Sequence, residues 1–300
     1  MKILVSGLIN LETSTNVHTF PIEYEPITYA FNEVKTSISG VGYNVLIALN
    51  TLGDKAIPLA LVGEDTIGDL IISDLAWKEI TTRYIQQELD KTPVSTVLYD
   101  DNGDRRIFCD LKDIQEKTIE ELDEEFDAYV LTNINYNASL IEKYHNEGKK
   151  IFTDVHAISE INDEYNARFM ANADVLFLSD ENVQNPFEFI RELQSKYNNE
   201  VVVMGCGSQG SLLLYNGELT QVDALKIKEV KNTVGAGDAL FSAFVHFYLK
   251  GNNPLECLKL ATIFASYKIT SSGGANGFLP EKDLLELYQK LESNIKIRFI

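Results

Sequence analysis

A run of small residues that leads directly into a long apolar segment restricts the fold of this chain more than any other feature. Residues 232–238 read Asn-Thr-Val-Gly-Ala-Gly-Asp, and residues 239–249 are almost entirely apolar. This pattern predicts a tight loop that opens a buried helix. Glycine lets a backbone approach a ligand closely, and the first turn of a helix leaves its N–H groups unpaired, so such a loop can bind an anion.

Asp238 places a carboxylate at the start of the predicted helix, beside this anion site. A carboxylate there can accept a proton from an attacking hydroxyl, which together with a bound anion indicates phosphoryl transfer. We expect the helix N-terminus to favour the anionic form of Asp238. A simpler interpretation is that Gly235 and Gly237 only make a turn and that Asp238 caps the helix.

The stretch resembles the ATP-site signature of the ribokinase-like, or PfkB-type, carbohydrate kinases, Asp-Thr-x-Gly-Ala-Gly-Asp. The resemblance implies that Gly235, Ala236 and Gly237 form an anion hole and that Asp238 is the catalytic base. It also implies that Thr233 contacts ATP.

The balance of charges restricts the partners of the chain. Its 300 residues are 45% hydrophobic, enough for a sizeable core, and 26 Lys+Arg face 45 Asp+Glu, a formal charge of -19. Such acidity disfavours nucleic acid and anionic membranes and favours a small-molecule substrate. The cysteines have no paired spacing and are expected to be buried, reduced thiols: Cys109, Cys206 and Cys257. Since we find no signal peptide or membrane span, we predict a cytoplasmic protein.

The N-terminal apolar segment, residues 2–9, predicts a central strand of a parallel sheet. Ligands of such sheets collect beyond the carboxyl ends of the strands, so Asn10 and Glu12 are candidate substrate contacts. Residues 7–12 resemble the family motif Gly-x-x-Asn-x-Asp, whose aspartate holds sugar hydroxyls, with Glu12 in place of that aspartate. Without the other motifs, Glu12 would be interpreted as a solvated acid in a loop.

Glycines also lead into a second predicted helix. Residues 39–44 read Ser-Gly-Val-Gly-Tyr-Asn and precede an amphipathic helix over residues 45–52. They resemble the family signature Gly-Gly-x-Gly-x-Asn, with Ser39 in place of the first glycine. The resemblance implies that Gly40 and Gly42 let the substrate lie against the backbone and that Asn44 hydrogen-bonds one of its hydroxyls.

Two segments with strand patterns interrupt the rest of the chain. Residues 19–39 alternate and predict short edge strands, and residues 94–99 and 105–109 predict a hairpin about Asn102-Gly103. In the family, such insertions form a small β lid over the sugar. The lid would comprise about residues 10–36 and 92–110 of a single domain, 1–300.

The side chains of this lid suggest two further expectations. Arg105 and Arg106 could reach the substrate, but arginines in an exposed hairpin are usually solvated, and we favour solvation for both. The apolar residues of the first segment exceed what an edge hairpin needs and predict a homodimer through the lid: Phe20, Ile22, Tyr29 and Phe31.

Beyond the hairpin, strands and helices alternate, which implies βαβ units and a parallel sheet covered on both faces. The predicted fold is therefore an α/β, ribokinase-like three-layer αβα sandwich with a mostly parallel central sheet. The predicted elements are strands near 127–131, 150–155, 173–178 and 200–204, helices near 138–146, 186–197 and 255–270, and a hairpin of 211–215 with 218–222.

Residues on the expected nucleotide side match the family less closely. Residues 178–182 stand where the family carries Asn-x-x-Glu, which organises hydrated magnesium near the phosphates. Ser179 and Asn182 occupy those two positions, and Asp180 or Glu181 substitutes for the acid. We take Ser179 as an ATP contact and Glu181 as a water-mediated Mg²⁺ contact, since Mg²⁺ keeps most of its waters.

Three glycines follow the next predicted strand and resemble the nucleotide loop of the family: Gly205, Gly207 and Gly210. The resemblance also implies that Thr262 borders the adenine. Residues 271–275 resemble a family loop that holds a monovalent cation together with the first aspartate of the ATP-site signature. Asn232 replaces that aspartate. The site has lost a formal negative charge, which argues against activation by potassium.

The motifs occur in family order and predict ATP-dependent phosphorylation of a hydroxyl of a small sugar, with ATP and Mg²⁺. Two alternatives remain, a nucleoside kinase and a non-catalytic sensor of sugar or nucleotide. The departures at Ser179, Asn182 and Asn232 favour the sensor, whereas the intact 235–238 argues against it. The four histidines have no metal-ligand spacing, so a zinc site is not predicted.

Overall fold

A short buried strand at the N-terminus is the centre of the architecture. Residues 2–6 pair in parallel with residues 55–59 on one side and with residues 128–131 on the other. Successive side chains of this strand point to opposite faces, so Ile3 and Val5 belong to one hydrophobic core and Leu4 to another. The computed structural model describes residues 1–102, 104–112, 119, 122–227 and 230–300.

The described residues form two sheets. The strands are β1 (Lys2–Ser6), β2 (Asn10–His18), β3 (Val34–Ser39), β4 (Lys55–Gly63), β5 (Tyr84–Leu89), β6 (Val94–Asp100), β7 (Arg105–Asp110), β8 (Ala128–Leu131), β9 (Ile151–Ala157), β10 (Val175–Ser179), β11 (Val201–Gly205), β12 (Ser211–Tyr215), β13 (Glu218–Val222) and β14 (Ile297–Phe299).

The larger sheet has the order β14-β13-β12-β11-β10-β9-β8-β1-β4-β5. It is parallel from β5 to β11 and antiparallel from β11 to β14. The carboxyl ends of β1, β8, β9, β10 and β11 therefore meet at one edge, where ligands of such sheets bind.

Helices cover both faces of this sheet. They are α1 (Val41–Leu52), α2 (Thr66–Trp77), α3 (Asn137–Asn146), α4 (Ala167–Asn172), α5 (Pro186–Tyr197), α6 (Ala236–Leu249), α7 (Pro254–Lys268) and α8 (Glu281–Leu291), with 3₁₀ turns at Gly207–Gln209 and Glu292–Asn294. Buried residues of α1, α2, α6, α7 and α8 share one core with one face of the sheet. Those of α3, α4 and α5 share the other core. The predicted αβα sandwich with a mostly parallel sheet is confirmed.

The chain forms a second sheet after it leaves the carboxyl end of β1. Its order is β3-β2-β6-β7, with β2 and β6 parallel and the outer pairs antiparallel. The prediction of short strands between residues 19 and 33 is wrong, because this segment is irregular and the strands lie on either side of it. Its two prolines, Pro21 and Pro26, have no N–H to donate to a ladder. Of the predicted hairpin turn, Gly103 lies outside the described residues.

Several other expectations can be compared directly. The helix at Pro186–Tyr197 and the hairpin at 211–222 have the predicted bounds. The prediction that all cysteines are buried is wrong for Cys109, which is exposed on β7 at the edge of the second sheet, whereas Cys206 and Cys257 are buried and all three are free thiols. Within the described ranges, no helix is both long and apolar enough to cross a membrane.

Candidate active site

A cleft of about 1790 Å³ lies between the carboxyl edge of the large sheet and the second sheet. Ser95, Ile107 and Cys109 of the second sheet line one wall. All but one of the predicted site residues line it too: Asn10, Glu12, Gly40, Asn44, Ser179, Glu181, Gly205, Gly207, Gly210, Thr233, Gly235, Ala236, Gly237, Asp238 and Thr262.

Gly42 is the exception, because it does not line the cleft. A Cβ on Gly42 would lie 2.6 Å from the carbonyl oxygen of Gly7, so its lack of a side chain lets α1 pack against the end of β1. Gly40 has a φ of 100°, and a Cβ there would meet the carbonyl oxygen of Leu8 at 2.4 Å. Both glycines are needed for backbone packing at the start of α1.

The loop before α6 directs unpaired amides into the cleft. Gly235 is the N-cap residue of α6 and has a left-handed φ of 77°. The N–H of Ala236 donates to the carbonyl of Thr233 at 3.1 Å, and the N–H of Ala239 donates to the carbonyl of Gly235 at 3.0 Å. The N–H groups of Gly237 and Asp238 lie between them in the first turn and have no backbone acceptor there. These two amides are therefore better placed to receive an anion than that of Ala236.

Three distant segments meet at this loop. A Cβ on Gly235 would lie 2.4 Å from the carbonyl oxygen of Gly274. A Cβ on Gly274 would in turn lie 2.7 Å from the side-chain nitrogen of Asn44. The loop 271–275 is thus wedged between the N-termini of α1 and α6, and its backbone sets the distance between them.

Asp238 is buried and accepts a hydrogen bond of 2.6 Å from Nδ2 of Asn44. Burial raises the pKa of Asp238 above its ordinary value of 3.8, and the hydrogen bond from Asn44 opposes that rise. The expectation that the helix N-terminus favours the anion is therefore outweighed by desolvation. A carboxylate with a raised pKa is a better proton acceptor than an ordinary aspartate.

Asn44 thus contacts the carboxylate as well as the cleft. Its amide nitrogen holds Asp238, whereas its Oδ1 is buried and has no hydrogen-bond partner among the described residues. Oδ1 of Asn10 is likewise buried and has no hydrogen-bond partner among the described residues. Two buried acceptors without donors lie in one cleft, and a buried acceptor of this kind costs stability unless a ligand supplies the donor.

Glu12 is held by the residue that replaces the first glycine of the α1 motif. The hydroxyl of Ser39 donates to Oε2 of Glu12 at 3.0 Å, and both residues are buried. Burial raises the pKa of Glu12 above its ordinary 4.5, opposed by this hydrogen bond. Glu12 is therefore not a solvated acid of a loop, and Ser39 orients its carboxylate.

Sequence reasoning missed two polar residues of the cleft at the end of β9, Asp154 and His156. The backbone N–H of His156 donates to Oδ1 of Asp154 at 2.8 Å. The rule that selected Asn10, that polar residues at the ends of parallel strands face the ligand, applies equally to this strand and finds both.

The residues expected on the nucleotide side make fewer contacts that would hold them in place. Glu181 is exposed and pairs with Arg105 of β7 at 3.3 Å, so Arg105 bridges the two walls and is not merely solvated. The hydroxyl of Ser179 accepts the N–H of Glu181 at 3.3 Å. The hydroxyl of Thr262 donates to the carbonyl of Leu258 within α7.

Lys268, which sequence reasoning also missed, is fully buried at the end of α7, and its Nζ donates to the carbonyl of Val234. Burial lowers its pKa to about 8, and the nearby carboxylates of Asp238 and Glu12 oppose that fall. The only sequence signal for it was a lysine within a segment otherwise typical of a buried helix.

The residues present accommodate metal ions to different degrees. No group of three or more His, Cys, Asp or Glu side chains is arranged around a metal-sized space in the part of the chain that the structure describes. A Mg²⁺ ion that keeps most of its waters needs few protein ligands, and Asp154, Asp180 and Glu181 line the cleft for such contacts.

A monovalent cation does not fit at residues 232–234, beside the 271–275 loop. Oδ1 of Asn232 already accepts the N–H of Val234 at 2.7 Å. The carbonyl of Val234 is bonded to the ammonium of Lys268. Two oxygens of residues 232–234 are therefore occupied by groups of the chain itself.

An open α/β sheet with unpaired helix-start amides and a buried carboxylate at its carboxyl edge suits the transfer of a phosphoryl group to an alcohol. Comparison with known families is more specific. The model of the pfkB family carbohydrate kinases matches residues 1–282, and the chain belongs to this family. It is an ATP-dependent carbohydrate kinase, as predicted.

Individual relatives agree with this assignment. The deoxyribokinase of Salmonella typhi is 24% identical over 297 residues, which cover 93% of this chain and 95% of that protein. Among solved structures, a microbiome-derived acarbose kinase superposes with a TM-score of 0.86 at 18% identity, covering 96% of this chain and 98% of its own. The ribokinase of Thermotoga maritima superposes with a TM-score of 0.77 at 21% identity, covering 96% and 99%. The ribokinase-like fold is confirmed.

The packing of Gly235 yields a prediction that separates it from Gly237. Gly235→Ala forces a left-handed φ on alanine and drives Cβ against the carbonyl of Gly274, so we expect a loss of at least about 1–2 kcal/mol in the free energy of unfolding. Gly237→Ala meets no protein atom within 4 Å and is expected to leave stability unchanged. Thermal or denaturant unfolding without nucleotide measures both. Equal effects of the two substitutions would show that the contact with Gly274 does not restrict residue 235.

Proposed function

We propose that the enzyme transfers the γ-phosphoryl group of ATP to a hydroxyl of an uncharged sugar, with Asp238 as the general base. The observation that carries the proposal is the position of Asp238. Its buried carboxylate accepts a hydrogen bond from Nδ2 of Asn44 on one side and belongs to the amide-bearing first turn of α6 on the other. One group is thus in reach of both a hydroxyl and a phosphate.

The polar groups on the substrate side suit hydroxyl donors. Oδ1 of Asn10 and Oδ1 of Asn44 are buried acceptors without partners in the described chain, and Glu12 adds a buried carboxylate. Acceptors of this kind bind O–H groups, and a ligand that supplies several of them removes the cost of leaving these atoms unpaired. A polyhydroxyl compound such as a sugar meets this requirement.

The charges of the cleft favour a sugar without a phosphate group. Glu12, Asp154 and Asp238 line the cleft, and like charges would repel a phosphorylated substrate beside them. Arg105, a cation on the same walls, already pairs with Glu181. Among the described lining residues, Arg298 likewise pairs with Asp223, and Lys226 is the one further lysine or arginine.

The reaction requires the substrate hydroxyl to lose its proton as its oxygen attacks the γ-phosphorus. Asp238 accepts that proton, the new O–P bond forms, and the bond to the β-phosphate oxygen breaks, which leaves ADP. Charge on the transferring group is stabilised by the fixed N–H groups of Gly237 and Asp238, with that of Gly235 nearby. Asn44 holds the carboxylate in place through its 2.6 Å hydrogen bond.

The remaining parts of the predicted site suit ATP. Ser179, Thr233, Thr262 and the glycines of the 205–210 loop line the same cleft beyond α6. Magnesium bound with ATP offsets phosphate charge, and Glu181 or Asp180 would contact its waters. We infer a cytoplasmic location, because free thiols and ATP both suit a reducing compartment.

The role of Asp238 as the base can be tested by substitution. We expect Asp238→Asn to lower turnover by roughly 10² or more with nearly unchanged ATP affinity, since the substitution preserves shape and removes the proton acceptor. The acid limb of the wild-type kcat/KM profile should lie above pH 3.8, the ordinary aspartate pKa, because burial raises the pKa of Asp238.

Stability gives a second measurement on the same variant. The folded enzyme binds the Asp238 proton more tightly than the unfolded chain, so ionising Asp238 costs stability as pH rises through its raised pKa. Asp238→Asn removes this cost and should melt at a higher temperature than wild type at pH 7. Asp90→Asn, in the exposed turn after β5, is the control and should change neither quantity. Near-normal turnover of Asp238→Asn would show that Asp238 is not the base.

The chemical class of the acceptor substrate gives a separate prediction. A coupled assay of ADP release over neutral sugars, nucleosides and sugar phosphates should show turnover with a neutral sugar. Glu12→Gln should raise the KM of that sugar by about 10-fold or more, the size of a hydrogen bond to a charged group, without changing the KM of ATP. Asn44→Ala should raise it as well and also lower kcat, because Asn44 holds Asp238.

The exposed Glu286→Gln on α8 is the matched control for Glu12→Gln. An unchanged sugar KM in both Glu12→Gln and Asn44→Ala would show that these residues do not bind the acceptor. Turnover with nucleosides alone would show that the acceptor substrate is a nucleoside and not a sugar. Turnover with sugar phosphates alone would show that the acidic residues of the cleft do not exclude a phosphorylated substrate.

We also propose a homodimer through the second sheet and the 19–33 segment. Tyr29 is 76% exposed and Phe31 is 81% exposed, and Ile22 and Ile27 beside them are exposed as well. Light scattering should show a dimer that Tyr29→Ser with Phe31→Ser converts to a monomer, whereas Trp77→Ser, equally exposed on α2, should have no effect. A wild-type monomer at working concentration would refute the dimer.

A further inference from the structure

Lys268 is a buried charge that the transfer mechanism above does not use. It is the last residue of α7, and none of its surface is exposed to solvent. Lysine is almost never fully buried unless its ammonium is paired. In the described part of the chain, no carboxylate lies within ion-pair distance of its Nζ, and the bond that the ammonium makes is to the backbone carbonyl of Val234.

That carbonyl belongs to the loop that opens α6. The end of α7 is tied to the same loop a second time, because the N–H groups of Lys231 and Asn232 donate to the carbonyl of Ile269 at 2.9 and 3.3 Å. The carbonyl of Lys268 accepts the N–H of Ser271, at the start of the 271–275 loop. Lys268 therefore lies where the two loops and the end of α7 converge.

The hydrogen bond from this ammonium goes to a kind of oxygen that also binds cations. A lysine ammonium is a compact charge with three donors, and a carbonyl oxygen is also the ligand that potassium takes from a backbone. The negative groups that attract it, Asp238 and Glu12, belong to the active site itself. No side chain in the 232–234 segment offers a competing negative charge, since residue 232 is Asn and its Oδ1 is occupied.

We propose that the ammonium of Lys268 takes the place of a monovalent cation at the loop before α6, so that the enzyme needs no potassium to bind ATP or to turn over. Lys268 is a positioning residue. It holds the carbonyl of Val234, in the loop that places the amides of Gly237 and Asp238 in the cleft. The positive charge of Lys268 also lies behind these amides, where its attraction for the phosphates opposes their repulsion by the carboxylates.

A covalently attached cation differs from a bound ion in one respect that can be measured. It cannot dissociate, so neither the concentration nor the identity of the salt cation changes its occupancy. The effect expected on turnover rests on the proposed phosphoryl transfer. The effect expected on ATP binding can be measured without an acceptor substrate. Failure of the transfer mechanism and failure of the cation replacement are thereby distinguishable.

The test measures ATP binding by calorimetry, melting temperature, and turnover in potassium chloride and in choline chloride at equal ionic strength. Wild type should behave identically in the two salts. Lys268→Met should weaken ATP binding by about tenfold or more, the size of one charge-assisted hydrogen bond, and lower turnover with it. It should melt no lower than wild type at pH 7, because burial disfavours the charged form of Lys268.

Lys259→Met is the matched control, because Lys259 lies on the same helix and pairs with Glu256 at 3.0 Å at the surface. It should leave ATP binding and turnover unchanged. Potassium that activates or thermally stabilises the wild type relative to choline would overturn the proposal, and this measurement requires no variant to fold. Unchanged ATP binding by a folded Lys268→Met would overturn it as well, and a lower melting temperature would assign Lys268 a structural role instead.

Discussion

The hydrogen bond between Asn44 and Asp238 joins the N-termini of α1 and α6, two helices whose residues are 194 positions apart in the chain. The backbone of Gly274 fills the space beside it, with room for no side chain there or on Gly235. The site depends on this contact because the residues proposed to bind the substrate lie on α1 and β2, whereas the amides proposed to bind the phosphate lie on α6. Their separation is set by backbone contact, which is stiffer than contact between side chains.

Burial gives the charged groups of this junction their chemistry. Desolvation raises the pKa of Asp238 and of Glu12 and lowers that of Lys268 to about 8. Each group alone would be costly to bury, but carboxylates and ammonium attract one another across the junction and limit the cost. The proposed base, the acid proposed to bind hydroxyls and a fixed cation are thus kept together in one small volume.

Much of the architecture was predictable from local patterns. The helix at Pro186–Tyr197 follows from Asn185 as an N-cap with proline after it, and the hairpin at 211–222 follows from its Asn-Gly turn. The strands around residues 19–33 were predicted wrongly because alternation of polar and apolar residues also arises in an exposed irregular segment. Gly42 was assigned to the substrate because a glycine required for packing and one required for ligand approach look alike in a sequence.

The sequence by itself determined the alternation of strands and helices, the small-residue loop before α6 and the family to which the chain belongs. These depend on spacing between neighbours, which a sequence displays directly. Only the tertiary structure decided that Asn44 holds Asp238, that Ser39 orients Glu12, that Asp154 and His156 enter the cleft and that Lys268 is bonded to the carbonyl of Val234. Hydrogen bonding and desolvation depend on which distant residues come together, and that is settled when the chain folds and water is excluded.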